Sequence, residues 1–282
     1  MTMPSYTTKN PRAYGELAGT QLLTALEAAG HDPFTVAQAT DGGANIGLSA
    51  RHVASLLHRL AASGLVTRLK KGVYALNDPV TRLPRAHPFA IGTALVSPSA
   101  ISHWSALQHW GLTEQIPSTI MLSSPTRTFP PSEQAEAGSS RKAWVVAGTR
   151  YEVVTVTDGR FFGIAHAWVS ERDQVAIFDG ERALLDAFHH FHVFGSLSVG
   201  LDILETHLAE LDLVRLAGYA EQLQVTAVVK RLGWALERLG ASSEVLEPLR
   251  VYPARGDAPL DPGQPARGRH NRTWRVIENL HA

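Results

Sequence analysis

The chain has 282 residues, 44% of them hydrophobic, with 26 Lys+Arg balanced by 26 Asp+Glu and no cysteine. That length suggests two domains of roughly 150 residues each with enough apolar content for real cores, and the missing cysteines exclude disulfides and thiolate metal sites. With no apolar run of about 18 residues and no signal-peptide core in MTMPSYTTKNPRAYGE, a cytoplasmic chain with no membrane partner is expected.

Charge is distributed unevenly. Residues 1–90 hold 9 Lys+Arg against 5 Asp+Glu, residues 91–250 hold 12 against 18, and residues 251–282 hold 5 against 3. A neutral total does not argue against a nucleic-acid partner, because a local patch decides that interaction.

Leu17 to Ala29 reads as a helix with Leu22, Leu23 and Leu26 on one side and Gly30 ending it. His31-Asp-Pro is a short connection. Thr35 to Ala39 suits the first helix of a helix pair, and Asp41-Gly-Gly-Ala-Asn-Ile-Gly supplies turn residues expected to stop it. Ser49 caps a second helix, since its hydroxyl can accept an orphan N–H of the first turn. In that helix Val53, Leu56, Leu57 and Leu60 fall at i, i+3, i+4 and i+7 and form one apolar stripe, while Arg51, His52, Ser55, His58 and Arg59 occupy the opposite face. Gly64 sits where a left-handed C-cap is expected. From Leu65 the pattern switches to a period of two, and Arg68-Leu-Lys-Lys-Gly-Val-Tyr-Ala-Leu makes a hairpin whose turn carries Lys70 and Lys71.

This succession is that of a winged helix-turn-helix. A basic helix face beside a basic wing matches the two surfaces by which such domains hold double-stranded DNA: helix side chains read base edges in the major groove, and wing cations neutralise phosphates. The DNA-binding residues expected are Ser49, Arg51, His52, Ser55 and Arg59 in the helix and Arg68, Lys70 and Lys71 in the wing. Thr81 to His87, with prolines at 84 and 88, reads as a linker, so the domains are placed at 1–85 and 86–282.

In the second segment Ser97 as cap, Pro98 at the first helical position and Gly111 as terminator predict a helix. His103 and His109 within it read as packed or surface histidines. Ser118 to Ser124, Ala143 to Val146, Tyr151 to Thr157, Phe161 to Val169 and Gln174 to Phe178 read as strands, and the polar, Pro- and Ser-rich stretch 125–142 as a mobile excursion. Helices are expected over Glu181 to Phe191, Val199 to Leu211, Leu213 to Leu223 and Ala227 to Leu239. Strands followed by helices make this an α+β domain. The tail from Leu249 alternates short strand candidates with a Pro/Gly-rich loop.

Chemistry is sparse by comparison. The run His189-His190-Phe191-His192, with His166 elsewhere, fits a metal site poorly, because successive helical residues point about 100° apart and no HExxH or i, i+4 histidine pair is present. Gly195-Ser196 followed by Asp202 is a faint nucleotidyltransferase-like turn, but Asp202-Ile-Leu-Glu205 is not an Asp-x-Asp pair. Walker, Rossmann, nucleophile-elbow and kinase signatures are missing. Glu181, Arg182 and Asp186 have a structural explanation, Glu181 complementing a helix N-terminus and Arg182 pairing with Asp186 at i, i+4. No catalytic residue, cofactor or metal is therefore assigned, and no enzyme is expected.

Gly72-Val-Tyr-Ala-Leu, then Ser105-Ala-Leu-Gln-His-Trp-Gly-Leu-Thr with Ile116-Pro ahead of a strand, then Phe178-Asp-Gly-Glu-Arg-Ala-Leu-Leu-Asp and Val229-Lys-Arg-Leu-Gly-Trp-Ala-Leu-Glu resemble the AbiEi family in order and spacing. The likeness covers roughly residues 15–280. These are the antitoxin and transcriptional-regulator components of bacterial type IV toxin–antitoxin systems. The resemblance implies a winged helix-turn-helix that represses its own operon at inverted repeats in the promoter. It also implies a C-terminal domain that counteracts a nucleotidyltransferase-like toxin. Two departures are visible: DGGANIG is longer than the usual tight turn between the helices, and 125–142 looks like an insertion. The competing reading is a protein-interaction module whose acidic middle region neutralises a partner by contact, without specific DNA binding.

Overall fold

A computed structural model of the chain describes residues 11–128 and 143–280, so the stretch 125–142 lies largely outside the described residues. The described residues divide into two compact units: 11–96 with 146–148 and 168–175, and 97–128 with 143–145, 149–167 and 176–280.

In the first unit the order is α1 (Pro11–Ala28), β1 (Phe34–Thr35), α2 (Val36–Ala44), α3 (Ala50–Ala62), β2 (Val66–Lys70), β3 (Val73–Leu76) and α4 (Pro88–Leu95). The three strands form one sheet in the order β1-β3-β2, both pairs antiparallel. Leu22 and Leu26 of α1, Phe34, Ala39 of α2, the α3 stripe Val53, Leu56, Leu57 and Leu60, and Val66 and Leu76 of the hairpin close on one another as a single core. Three helices and a small sheet sharing that core are the architecture expected of a winged helix-turn-helix. Thr81 to His87, read as a linker, is folded back on the hairpin: Asn77 bridges to Pro84, the Arg85 N–H donates to the Leu76 carbonyl at 2.9 Å, and the Asn77 side-chain amide donates to the carbonyls of Gly64 and Arg82.

Next in chain order come β4 (Ala100–Ile101), α5 (His103–His109), β5 (Thr119–Ser124), β6 (Ala143–Val146), β7 (Thr149–Thr155), β8 (Ile164–Trp168) and β9 (Gln174–Phe178), which lie in the second unit apart from Val146, Trp168, Gln174 and Val175. These strands form a six-stranded mixed sheet in the order β6-β7-β5-β4-β9-β8, with β4 antiparallel to β5 but parallel to β9, and β5 parallel to β7. Six helices follow: α6 (Gly180–His189), α7 (Phe191–Phe194), α8 (Leu197–Thr206), α9 (Leu213–Leu223), α10 (Thr226–Arg238) and α11 (Ser243–Val251). A small closing sheet is built from β10 (Ala258–Pro259), β11 (Arg269–Asn271) and β12 (Val276–Glu278) in the order β10-β12-β11. The α+β class read from the sequence is the fold observed.

The helix expected from Pro98 starts instead at His103. Ala100 and Ile101 are wholly buried and lie between β5 and β9 at the middle of the sheet, so the sheet takes the residues that Ser97-Pro98 would have led into a helix. The C-terminal end of α11, which no sequence signal announced, is held by Lys230 of α10. Its ammonium donates to the carbonyls of Leu249 and Arg250, both at 2.9 Å, and so satisfies acceptors that a helix end leaves unpaired.

Candidate nucleic-acid interface

The helix pair is built from two caps and one close approach. Thr35 opens α2 with a capping box: the Gln38 N–H donates to Thr35 Oγ1 at 3.2 Å, and the Thr35 N–H donates to Gln38 Oε1 at 2.8 Å. The helix does not stop at Asp41-Gly42-Gly43 as the composition suggested, but continues to Ala44. Gly43 is buried against α3, and a Cβ placed on it would stand 2.5 Å from Val53 Cγ2. The glycine therefore lets two helices approach, and the reversal is left to residues 45–49. The turn is accordingly shorter than DGGANIG implied, with Gly47 in the left-handed region at φ +77°.

Ser49 is the N-cap of α3, in extended conformation, with its hydroxyl accepting from the His52 N–H at 3.4 Å and lying 3.1 Å from His52 Nδ1. Once Val53, Leu56, Leu57 and Leu60 are committed to the core, the 3.6-residue period turns Arg51, His52, Ser55, His58 and Arg59 to solvent. The other exposed positions of this helix, Ala50, Ala54 and Ala62, are small, so its cations and hydrogen-bonding groups stand proud of a low surface. Such a face can slot into a groove and offer donors to base edges and phosphates.

In the hairpin, Val66, Leu69 and Val73 point into the core while Arg68 and Lys71 are exposed. The register shifts between Arg68 and Lys70, and Gly72 adopts φ +78°, the left-handed conformation this tight turn requires. Lys70 differs from the other seven expected contact residues. It is half-buried, its Nζ donates to the Leu95 carbonyl at 2.8 Å, and burial lowers its pKa from the ordinary value. Ser49, Arg51, His52, Ser55, Arg59, Arg68 and Lys71 remain exposed. Arg82 is a cation that periodicity could not reveal. It is exposed, holds φ +61°, and would lie 3.6 Å from a Cβ on Gly64, brought there by the hydrogen bonds that Asn77 makes.

Residues 21–77, from within α1 to the residue after β3, match the family model described as "Transcriptional regulator, AbiEi antitoxin". The segment is thus similar to the AbiEi regulators. The resemblance read from the sequence is thereby borne out over these residues, and the AbiEi match encloses both caps, the Gly43–Val53 contact, the α3 face and the hairpin. The RV2827C protein from Mycobacterium tuberculosis, known from its crystal structure, is similar in fold over 94% of this chain and 92% of its own, with a TM-score of 0.63 at 15% identity. No curated protein sequence matches the chain. The match likens residues 21–77 to a transcriptional regulator and antitoxin; among the described residues no helix is long and apolar enough to cross a membrane.

Outside this face, His103 is a packed histidine, wholly buried at the start of α5, and burial lowers its pKa to about 4. His109 at the end of the same helix is half-buried. The Arg182–Asp186 pair is present at 2.5 Å, but both side chains are fully buried rather than on a solvated face.

Proposed function

We propose that this protein is a sequence-specific double-stranded-DNA-binding regulator that represses its own promoter at inverted repeats, and that it is the antitoxin of a nucleotidyltransferase-like toxin. The observation that carries the reading is the exposed face of α3, with Arg51, His52, Ser55 and Arg59 presented from a helix fixed by the Ser49 cap, inside the segment that matches the AbiEi regulators. Arg68 and Lys71 of the wing supply phosphate contacts, and residues 1–85 act as the DNA-binding domain with 86–282 as the antitoxin-like domain. The catalytic role is left empty: regulation needs affinity and position, and both follow from a rigid helix and a charged hairpin.

A gel-shift titration of the purified protein against about 200 bp of its own upstream DNA, beside scrambled DNA, at two salt concentrations, tests this. Specific binding tighter than the control by about 10³-fold or more is expected. An Arg51→Ala variant is expected to lose about 1–3 kcal/mol on the operator and relax base preference, which is the cost of a lost bidentate base contact. Equal, weak, salt-sensitive binding to both DNAs would overturn the proposal and favour a protein-interaction module that neutralises its partner by contact.

A further inference from the structure

The second unit contains a buried polar cluster that neither the fold nor the regulator reading uses. His103 opens α5, Asp186 lies in α6 and His190 follows α6 directly; one ligand-type atom from each lies within 4.8 Å of the other two. His103 and Asp186 are completely buried, while His190 keeps 17% of its side chain exposed. His103 Nε2 and His190 Nδ1 are 2.9 Å apart, and Asp186 Oδ2 lies 3.7 Å from His103 Nδ1.

Three features distinguish this cluster from an ordinary satisfied polar core. Each of the two fully buried members is gripped on one atom from outside the cluster, while the second nitrogen of His103 faces His190 and the second oxygen of Asp186 faces no donor. Ser102 Oγ is 2.8 Å from His103 Nδ1 and is itself held by the Ser123 hydroxyl at 3.0 Å, and Arg182 donates to Asp186 Oδ1 at 2.5 Å. That is how outer partners orient the ligands of a metal ion, fixing one nitrogen or oxygen so that the other is aimed. Asp186 Oδ2, at zero exposure, has no hydrogen-bond partner, whereas buried polar atoms are nearly always paired. Finally, His103 holds φ +52°, a left-handed conformation that costs a non-glycine residue energy and here turns an imidazole inward.

We infer that His103, Asp186 and His190 form a binding site for one divalent transition-metal ion of the zinc class, with the partly exposed His190 as its entrance. Two imidazole nitrogens and one carboxylate oxygen are a donor set that Zn²⁺ and Co²⁺ accept in low coordination, with a further position left for water or a partner's side chain. The 2.9 Å between the two imidazole nitrogens has to widen to the roughly 3.3 Å that two nitrogens at about 2.0–2.1 Å span on one tetrahedral ion. Protons balance without loss. In the metal-free form the Ser102 hydroxyl donates to Nδ1 and the Nε2–H donates to His190. With an ion on Nε2, the proton moves to Nδ1 and the same hydroxyl accepts it. The His189–His192 run contributes a single ligand; its partners come from residues 87 and 4 positions away.

The test uses the full chain, stripped with a chelator and dialysed, then titrated with Co²⁺ by visible absorption and with Zn²⁺ by calorimetry. One ion per chain is expected, with the intense d–d bands of a low-coordinate site. His190→Ala is expected to weaken binding by at least the roughly 10–100-fold that losing an outer partner of a metal ligand costs. His270→Ala, which removes the exposed histidine 2.8 Å from Asp257, is expected to leave it unchanged. His190 borders solvent at the end of α6, so its variant is checked for an unchanged circular-dichroism spectrum, and Asp186→Asn, nearly isosteric, serves as a second ligand variant. Absence of saturable binding to the folded parent, or binding that survives both ligand variants, overturns the assignment.

Discussion

The adjacent glycines of α2 are expected to respond to alanine with opposite signs. Neither is in the left-handed region, so both are ordinary helical residues, and alanine should be favoured over glycine by about 0.8–1.0 kcal/mol on backbone grounds alone. At Gly42 a Cβ meets only Leu22 Cδ1 at 4.0 Å, an ordinary contact, so Gly42→Ala should stabilise the first unit by roughly 0.5–1 kcal/mol. At Gly43 the Cβ would lie 2.5 Å from Val53 Cγ2 and 3.6 Å from Leu48 Cβ, and Val53 is a β-branched core residue with no free rotamer to yield into. Overpacking of that kind costs about 1–3 kcal/mol, so Gly43→Ala should be destabilising by up to about 2 kcal/mol net. Adding Val53→Ala removes the clashing methyl. The double variant should therefore be more stable than the sum of the singles predicts, with a coupling of at least about 0.5 kcal/mol. Urea unfolding of the three variants and the double variant, followed by circular dichroism, measures all four terms. A stabilising Gly43→Ala together with a destabilising Gly42→Ala would refute the packing of α2 on α3.

Other perturbations separate groups that look alike in the sequence. Lys71→Ala should reduce the slope of log affinity against log salt by about 0.9 without altering stability. Lys70→Ala, which strips the donor from the Leu95 carbonyl, should change that slope less and cost about 1 kcal/mol of stability; equal slope changes would show that both cations reach phosphate. Burial raises the Asp32 pKa from 3.8 to about 6, against the Leu76 N–H bond that its Oδ1 accepts, with Asp173 and Glu27 adding to the rise and Arg85 opposing it. The folded state thus keeps a proton that the unfolded chain has released, so this group's contribution to stability falls as pH rises from about 4 to about 6 and is level above. Asp32→Asn retains the acceptor and should be more stable than the parent at pH 8 but not at pH 4; parallel stability curves would contradict this. Gly233→Ala would set a Cβ 2.0 Å from Trp274 Cζ3 in a fully buried indole, so denaturation should show a loss at or beyond the upper end of the ~1–3 kcal/mol range for overpacking, and a change within about 0.5 kcal/mol would refute the contact.

What the sequence revealed was whatever depends on neighbours a few residues apart. The stripe Val53, Leu56, Leu57 and Leu60, the Ser49 cap and the left-handed Gly64 are set by helical period and backbone freedom, and α9 spans Leu213–Leu223 as its pattern predicts. What it concealed depends on distant partners. Gly42-Gly43 is a breaker by composition, and only the nearness of Val53 explains why it stays helical. Ser97-Pro98 is a sound helix start until β5 and β9 claim Ala100 and Ile101. Lys70 and Lys71 are equivalent in a hairpin pattern, and the carbonyl of Leu95 makes them unlike.

The strongest inversion is in α6. Asp179, Arg182 and Asp186, with His190 beyond, recur at three- and four-residue spacing, which in an isolated sequence marks a wet helix face. In the fold Arg182 and Asp186 have no solvent exposure, and the Arg182 guanidinium lies 5.0 Å from the Phe162 ring centroid and 4.5 Å from that of Phe178. A buried pair of this sort is weak evidence of a need for stability, because apolar residues of similar volume often serve as well or better. Two aromatic faces, the Arg160 carbonyl and one carboxylate oxygen hold the guanidinium, with its Nε left unpaired, and the other oxygen of Asp186 stays unpaired beside two imidazoles. A packing device would gain from replacing that carboxylate by an apolar side chain; a ligand site needs the oxygen unpaired.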